Sequence, residues 1–376
     1  MQYNSDMQNI YQAKGTTIVE QYRDVGRLFA PTIQQAVMKL KKKRARTTVT
    51  RRRVAEKTWS NLLENKVCRE FVQCLTAWSE GAGISTKQAM WLLADNFTGC
   101  QTLMFRYASG VALLHTEEEF IDDKHVEYHL TSPHTVEFKE GEVVSKSLVY
   151  NNLLPGAGLY SWKRDMVIAV DALYIREDAI EEIGNPMMVN VISWLIWRMS
   201  PEEADSEKVV QLVSVLGELV DGYAINIVRK VGERIEGYKL TFARSEHYVE
   251  YLGRDLGSYL RQANIVDTRY PKMKWALPPK QIWRGGWKYF TQRCMTMDDH
   301  AKRYAYLRGF KLQSHNLLGA HKLVQETIFT QLRESYVTRD VRAVCAGLVD
   351  CAGTSVSCKL NDDKPINHWE YIDVQN

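Results

Sequence analysis

The sequence predicts a mainly helical α+β protein that contains small β-hairpins and one antiparallel patch. Apolar residues recur at helical spacing over long stretches, and the period changes to two in only a few segments, which glycine or proline separates. The chain has 376 residues, 45% of them apolar and 25% charged, which is typical of a globular protein with two or three domains.

Helical periodicity is clearest near the amino terminus. Ser85 and Gln88 fit a capping box for a helix that continues through Trp91 towards Tyr107. Two earlier stretches, residues 16–42 and 58–77, predict amphipathic helices that face the core. Their apolar stripes are Ile18, Tyr22, Val25, Leu28, Phe29, Ile33 and Val37, and then Trp59, Leu62, Leu63, Val67, Phe71 and Leu75.

A period of two marks the predicted antiparallel patch, which lies between about residues 124 and 150. Alternating segments flank Glu140-Gly141, so a turn is expected there. Residues 151–162 form a loop rich in glycine and proline, and helices are expected to resume over Met166 to Ile183 and Val189 to Met199.

The block that begins at Glu207 predicts a helix followed by a projecting hairpin. The helix is expected to end near Asp221-Gly222, and the hairpin spans residues 225–242 with its tip between Val231 and Gly237. Tyr238, Leu240 and Phe242 alternate on the returning strand. A further helix is expected over Glu246 to Ala263.

A rigid aromatic turn follows at residues 274–290, KWALPPKQIWRGGWKYF, which hold two prolines, two glycines, three tryptophans and four cations. The prolines restrict the backbone and the glycines permit a sharp bend, while three tryptophans indicate that the segment packs against something. The segment from Pro278-Pro279 to Trp287 fits a structural connector or a contact with nucleic acid.

Positive charge is concentrated between Lys39 and Arg53, KLKKKRARTTVTRRR, which holds nine cations and no acid although the net charge of the chain is only +4. Such a run is typical of proteins that bind nucleic-acid phosphates, and a solvated basic arm is the alternative. The candidate DNA-binding residues here are Lys41, Lys42, Lys43, Arg44, Arg51, Arg52 and Arg53.

The sequence lacks the usual motifs of disulfide frameworks, metal sites, nucleotide-binding loops and serine hydrolases. Seven cysteines without a Cys-x-x-Cys pair indicate reduced thiols, and the trio Cys345, Cys351 and Cys358 lacks the spacing of a structural zinc site. His115, His125, His129 and His134 also lack a metal-site pattern, and neither a P-loop nor a hydrolase elbow occurs. No signal peptide or membrane span is predicted, so we expect a cytoplasmic protein without a membrane partner.

The order of parts in Val209 to Phe242 and Tyr270 to Phe290 resembles the amino-terminal region of single-subunit, bacteriophage-type RNA polymerases. The shared parts are a helix ending in a glycine turn, a β-hairpin, a further helix and a Pro-Pro-Lys-x-x-Trp turn. They cover about a sixth of the chain and match in order and type more than in identity.

In that family the hairpin wedges into promoter DNA at the upstream edge of the melted bubble. The resemblance therefore implies that Val231 and Ile235 are candidate wedges, and that Arg229, Lys230 and Arg234 contact flanking phosphates. The alternative is an ordinary surface hairpin whose valine and isoleucine pack inward.

The catalytic motifs of that family are missing. Asp350 faintly resembles the first metal-binding aspartate but lacks the Ser-Gly that should follow, and no second carboxylate motif is present. Two-metal phosphoryl transfer needs at least two converging carboxylates, so no catalytic or metal-binding residue is expected in this chain. The resemblance implies one subunit of a split DNA-directed RNA polymerase, inactive alone, whose separate palm and fingers subunit binds the Mg²⁺.

Three regions follow from this interpretation. Residues 1–57 form a basic arm and helix, residues 58–265 a helical promoter-handling domain, and residues 266–376 a connector that leads into the partner-binding palm side. The seam would include Leu317, Leu318, Leu323, Val324, Ile328, Phe329 and Leu332. If the protein is phage-encoded, its compartment is the cytoplasm of the bacterial host. The alternative function is a non-enzymatic viral nucleic-acid-binding protein, such as a nucleocapsid or packaging protein.

Overall fold

A computed structural model describes the chain over twelve stretches. These are residues 10–42, 46–94, 99–107, 110–120, 134–150, 153–157, 160–173, 183–262, 273, 341–350, 355–359 and 370–374. The helices are α1 Ile18–Leu28, α2 Ala30–Lys42, α3 Arg46–Glu64, α4 Arg69–Ala82, α5 Thr86–Ala94, α6 Val189–Arg198 and α7 Ser206–Leu216. A single 3₁₀ turn, Lys66–Cys68, precedes α4.

Most strands of the described chain belong to two sheets. An eight-stranded sheet has the order β1-β4-β5-β6-β7-β10-β11-β12, and a six-stranded sheet has the order β13-β2-β3-β14-β15-β16. In chain order the strands are β1 Tyr11–Gln12, β2 Gly99–Tyr107, β3 Gly110–Phe120, β4 His134–Glu140, β5 Val143–Val149, β6 Tyr160–Lys163, β7 Met166–Leu173, β8 Pro186–Met187, β9 Glu218–Leu219, β10 Gly222–Val231, β11 Arg234–Ala243, β12 Glu246–Tyr251, β13 Tyr259–Gln262, β14 Val341–Asp350, β15 Ser355–Lys359 and β16 Glu370–Val374.

The helices and the two sheets form three layers, as alternation along β7 shows. Met166, Ile168 and Val170 point towards the helices, whereas Val167 and Ala169 point towards Met104 and other apolar residues of the six-stranded sheet. The eight-stranded sheet is therefore the middle layer. Its central strands β7 and β10 are buried on both faces, which explains their nearly continuous apolar sequence.

The helical layer is closely packed. α1 begins with a capping box in which the Thr17 hydroxyl accepts from the Glu20 backbone N–H at 3.2 Å. Gly26 of α1 and Gly81 of α4 let the two helices approach closely, because a Cβ on either glycine would lie 2.1 Å from a carbonyl oxygen of the other helix.

An aromatic cluster joins this layer to the middle sheet. The Tyr22 ring stacks on Phe138 with centroids 4.8 Å apart, and Phe71 meets Trp194 edge to face. The Tyr22 hydroxyl donates to the Pro155 carbonyl and accepts from Trp194 Nε1, both at 2.7 Å. Helices and sheet thus share one apolar core.

The predicted α+β class is confirmed in its coarse form, but the sheet is much larger than the small patch that was expected. The helix expected over Val189 to Met199 and the Ser85–Gln88 capping box are confirmed. Residues 16–42 are helical as predicted but form two helices, α1 and α2, and the helix expected over residues 58–77 is interrupted at Asn65 between α3 and α4. Gly141 and Glu142 form the expected turn, with Gly141 at φ +61°.

Three predicted helices are wrong wholly or in part. Met166–Leu173 is β7, because a short apolar run buried on both faces has no period that separates strand from helix. The segment expected to be helical over Glu246 to Ala263 contains β12 and β13, which pair with β11 and β2. The helix after Ser85 ends at Ala94, and Gly99–Tyr107 is β2.

The predicted regions do not follow the sheets. α3 crosses the expected boundary between residues 57 and 58. β14 pairs with β3, so residues beyond the expected boundary at 265 complete a sheet that starts at residue 99. The aromatic turn at residues 274–290 and the predicted seam helix at residues 317–332 lie outside the described residues.

Candidate nucleic-acid interface

The basic run is divided between two helices. Its first part ends α2 and its last part begins α3, and the stretch from residue 43 to 45 between them, with Lys43 and Arg44, lies outside the described residues. Both helices pack against α5. The candidate cations therefore lie on separate helices, and their side chains differ in environment.

Arg51 is buried, with only 5% of its surface exposed. Its two terminal nitrogens donate to the two carboxylate oxygens of Asp221, each at 2.8 Å, and Nη1 also donates to the Ala94 carbonyl at 3.2 Å. The expectation that Arg51 contacts DNA is therefore wrong, because its charge already belongs to a buried bidentate ion pair.

Arg52 is half-buried beside an aromatic ring. Its guanidinium lies 5.3 Å from the centre of the Trp91 ring, and Lys87 Nζ lies 5.6 Å from the same centre. Glu56 accepts from Trp91 Nε1 at 3.1 Å and pairs with Lys87 at 3.1 Å. Arg52 is thus held by packing at the border of the basic surface.

Lys41, Lys42 and Arg53 are exposed as the basic run predicts, and Lys57 adds an exposed cation one turn after Arg53. Lys57 was not predicted, because Val54, Ala55 and Glu56 separate it from the uninterrupted basic run. We call the side chains of Lys41, Lys42, Arg53 and Lys57 the basic surface. These four cations are free to meet phosphates from solvent.

The hairpin candidates behave differently. β10 and β11 form the expected hairpin, with Gly232 at φ +60° in a two-residue turn, but β7 and β12 flank it. The prediction that the hairpin projects from the fold is therefore wrong. Both strands lie in the interior of a wide sheet, and the hairpin reaches solvent at its turn.

Arg229 is 7% exposed and does not face solvent as a phosphate contact should. Its guanidinium donates to Asp205 and Glu236, each at 2.8 Å, and to the Pro201 carbonyl at 3.0 Å. The expectation of a phosphate contact is wrong for this residue, because two carboxylates already surround the cation.

The other four hairpin candidates lie at the turn. Lys230 and Arg234 are exposed, although Arg234 pairs with Glu236 at 2.8 Å. Val231 and Ile235 are half-buried, and Ile235 packs against the apolar cluster between the sheets. The Ile235 side chain therefore takes part in packing within the fold and is not a free wedge.

The two groups of candidates are far apart. The Arg51–Asp221 ion pair ties α3 to the start of β10, whereas Val231 and Arg234 lie at its other end. At about 3.3 Å per residue, the ten residues of β10 separate these ends by roughly 30 Å. The basic surface and the hairpin turn do not form one contiguous site.

A polar layer between the two sheets was not predicted. The Thr102 hydroxyl lies 2.8 Å from His115 Nδ1, the same nitrogen lies 3.8 Å from Asp171 Oδ1, and Asn226 donates to Asp171 Oδ2 at 2.7 Å. In a catalytic triad one ring nitrogen of the histidine binds the hydroxyl and the other binds the carboxylate. Here the hydroxyl and the carboxylate both lie near Nδ1 of His115, so this arrangement does not resemble a triad. It fixes how the sheets face each other.

A second charged cluster lies where α4 and α6 meet the ends of β4 and β6. Arg198 binds Glu70 at 3.2 Å and also Glu140, while the Lys163 ammonium donates to the Met199 carbonyl. Burial, with the Arg198 charge as the second cause, lowers the pKa of Lys163 to about 8. These groups are engaged with one another within the fold.

Within the described part of the chain, no cluster of three His, Cys, Asp or Glu side chains could bind a metal ion. No helix in that part has the length and apolarity needed to cross a bilayer. No protein-family model matches this sequence, and no curated protein is significantly similar to it. The function is therefore inferred from the chemistry of the residues themselves.

Proposed function

We propose that this protein binds nucleic acid through the phosphate backbone, with the basic surface as its contact region. The observation that supports this most directly is the exposure of Lys41, Lys42, Arg53 and Lys57 around a run without acids between residues 39 and 53. Phosphate binding of this kind releases counterions and makes affinity depend steeply on salt.

The test is a salt titration of binding to a fluorescent DNA duplex. Lys41→Ala combined with Lys42→Ala should reduce the slope of log affinity against log salt by about 0.9 for each lost contact. The matched control is Arg27→Ala together with Arg254→Ala, which removes two exposed cations outside the basic surface. An equal slope in wild type and the Lys41/Lys42 variant would assign these lysines to solvent.

A more specific role is the DNA-handling subunit of a split phage-type RNA polymerase that is completed by a separate catalytic subunit. Its support is the order of parts in the sequence and the exposed Lys230 and Arg234 beside the hairpin turn. Two features weigh against this role: the hairpin lies within a wide sheet, and the strand β12 follows it where a helix was expected. The non-enzymatic viral nucleic-acid-binding protein needs only the basic surface.

These two roles differ in one measurable property. A polymerase subunit should make no RNA alone with Mg²⁺, four nucleotides and single-stranded template, and should restore synthesis when its catalytic partner is added. Synthesis by the lone chain would contradict the split enzyme. Binding of DNA without any stimulation of a catalytic partner encoded beside it would favour the non-enzymatic role.

A further inference from the structure

Helix α3 has two different faces between Val49 and Leu62. One face is a buried stripe formed by Arg51, Ala55, Thr58 and Leu62, and the Thr58 hydroxyl donates to the Pro186 carbonyl at 3.1 Å. The opposite face is an exposed stripe formed by Val49, Arg53, Lys57 and Ser60. The spacing of three or four residues keeps each stripe on one side of the helix.

The buried stripe holds α3 firmly in place. The bidentate Arg51–Asp221 pair attaches α3 to the middle sheet, and the helix also packs against α5. An exposed face supported in this way can be presented to a partner with little loss of conformational entropy.

The exposed face carries a valine beside its two cations. Val49 is 36% exposed and lies one turn before Arg53. Two acids adjoin this stripe, but Glu56 is half-buried in its contacts with Trp91 and Lys87, and Glu64 is the last residue of the helix. The face is thus positive and partly apolar, which complements a DNA groove.

We propose that the exposed face of α3 lies in the major groove of duplex DNA, where Arg53 and Val49 contact base edges. This inference rests on the proposed function and names its ligand. Arginine binds guanine O6 and N7 with two hydrogen bonds, and a small apolar side chain packs against the thymine methyl group. Lys57 on the same stripe, and Lys41 and Lys42 at the end of α2, bind the flanking phosphates.

The shape of the groove selects duplex DNA as the partner. An α-helix with its side chains is about 10–12 Å wide, and the major groove of B-DNA is about 12 Å wide. The major groove of an RNA duplex is deep and too narrow for side chains to read. A helix presented along one face therefore fits DNA, and the length of the exposed stripe is roughly 16 Å at 1.5 Å per residue.

The experiment begins with selection of duplexes from a randomised DNA library by the full-length protein. Affinities are then measured for a selected duplex, a scrambled duplex, a single strand and an RNA duplex of equal length. Wild type should enrich a shared sequence and bind that duplex most tightly.

Arg53→Lys is the decisive variant, because lysine keeps the charge and loses the planar fork. It should weaken binding to the selected duplex by about 10- to 100-fold and leave binding to the scrambled duplex within about twofold. Val49→Ala should weaken the selected complex by a smaller factor and leave the salt slope unchanged. Arg254→Lys, at an exposed arginine in the loop after β12, is the matched control and should change neither.

Several outcomes would overturn the inference. Equal losses on selected and scrambled duplexes would make Arg53 a phosphate contact, and preferred binding of RNA or single strands would exclude the major groove. Failure to enrich any sequence, with salt-dependent binding intact, would reject base reading while leaving the proposed function in place. Absence of all binding at low salt would instead reject the proposed function itself.

Discussion

At the scale of residues, Arg51 and Arg229 show that a cation's neighbours along the chain do not decide its role. Both occur in basic or amphipathic sequence, yet both donate to carboxylates from distant segments, Asp221 in one case and Asp205 in the other. A charge run predicts where cations are concentrated, but which of them turns inward depends on helical phase and on an acid placed by tertiary structure. Arg53, two residues after Arg51, is exposed for the same geometric reason.

Removing one member of the buried pair should be costly. Arg51→Ala or Asp221→Ala is expected to lower the free energy of unfolding by about 3–5 kcal/mol, because the remaining charge is left buried without compensation. Arg51→Met with Asp221→Leu should cost less than either single change. Urea unfolding measures these values, and Arg53→Ala, an exposed control, should stay within about 0.5 kcal/mol. If Arg51→Ala reduced the salt dependence of DNA binding and left the free energy of unfolding unchanged, Arg51 would be a DNA contact after all.

Lys163 should make stability depend on pH. Its pKa in the folded protein is lowered from 10.5 to about 8, so between those values the unfolded chain binds more protons and stability rises with pH. Below pH 8 both states are protonated and the penalty for burying the charge is fully present. The difference in unfolding free energy between wild type and Lys163→Met should therefore shift in favour of wild type from pH 8 to 10. A constant difference would mean that the ammonium is solvated.

At the scale of elements, the sequence predicts best where a single period persists. α1, α2 and α6 follow from helical spacing, and β11 follows from Tyr238, Leu240 and Phe242, whose side chains all face the helical layer. β7 was not predicted, because a strand between two packed layers is apolar on both faces. Pairing of β10 with β7 joins residues 49 to 63 positions apart, which local sequence does not encode.

The hairpin turn gives a test at this scale. Because Ile235 packs against the cluster between the sheets, Ile235→Ala should lower the free energy of unfolding by about 1–2 kcal/mol. Val143→Ala is the control, since this strand residue is 57% exposed and should cost almost nothing. An unchanged melting temperature for Ile235→Ala, with impaired promoter opening in a reconstituted polymerase, would instead support a wedge.

At the scale of the whole molecule, two apolar clusters connect the three layers. One cluster contains residues of the helices and of the middle sheet, including Leu62, Phe71, Ile168 and Leu240, and the other lies between the sheets. The predicted separation into a basic arm, a helical domain and a connector misses this, because a domain boundary depends on shared core and not on composition. The position of the basic surface is consequently fixed relative to the sheets.

This shared core predicts cooperative unfolding of the helical and strand layers. Helical signal by far-ultraviolet circular dichroism and the combined tryptophan fluorescence should follow one coincident urea transition. Trp194 and Trp197 at the helix–sheet contact and Trp78 of α4 are the buried tryptophans that contribute most to the fluorescence change. Gly26→Ala, which forces a Cβ against the Trp78 carbonyl where α1 meets α4, should move both probes to lower urea together. If the substitution separated the two transitions, so that the helical signal fell at lower urea than most of the fluorescence, the amino-terminal helices would unfold independently. The basic surface would then be mobile relative to the sheets, and a firmly held α3 could not be the reason for groove recognition.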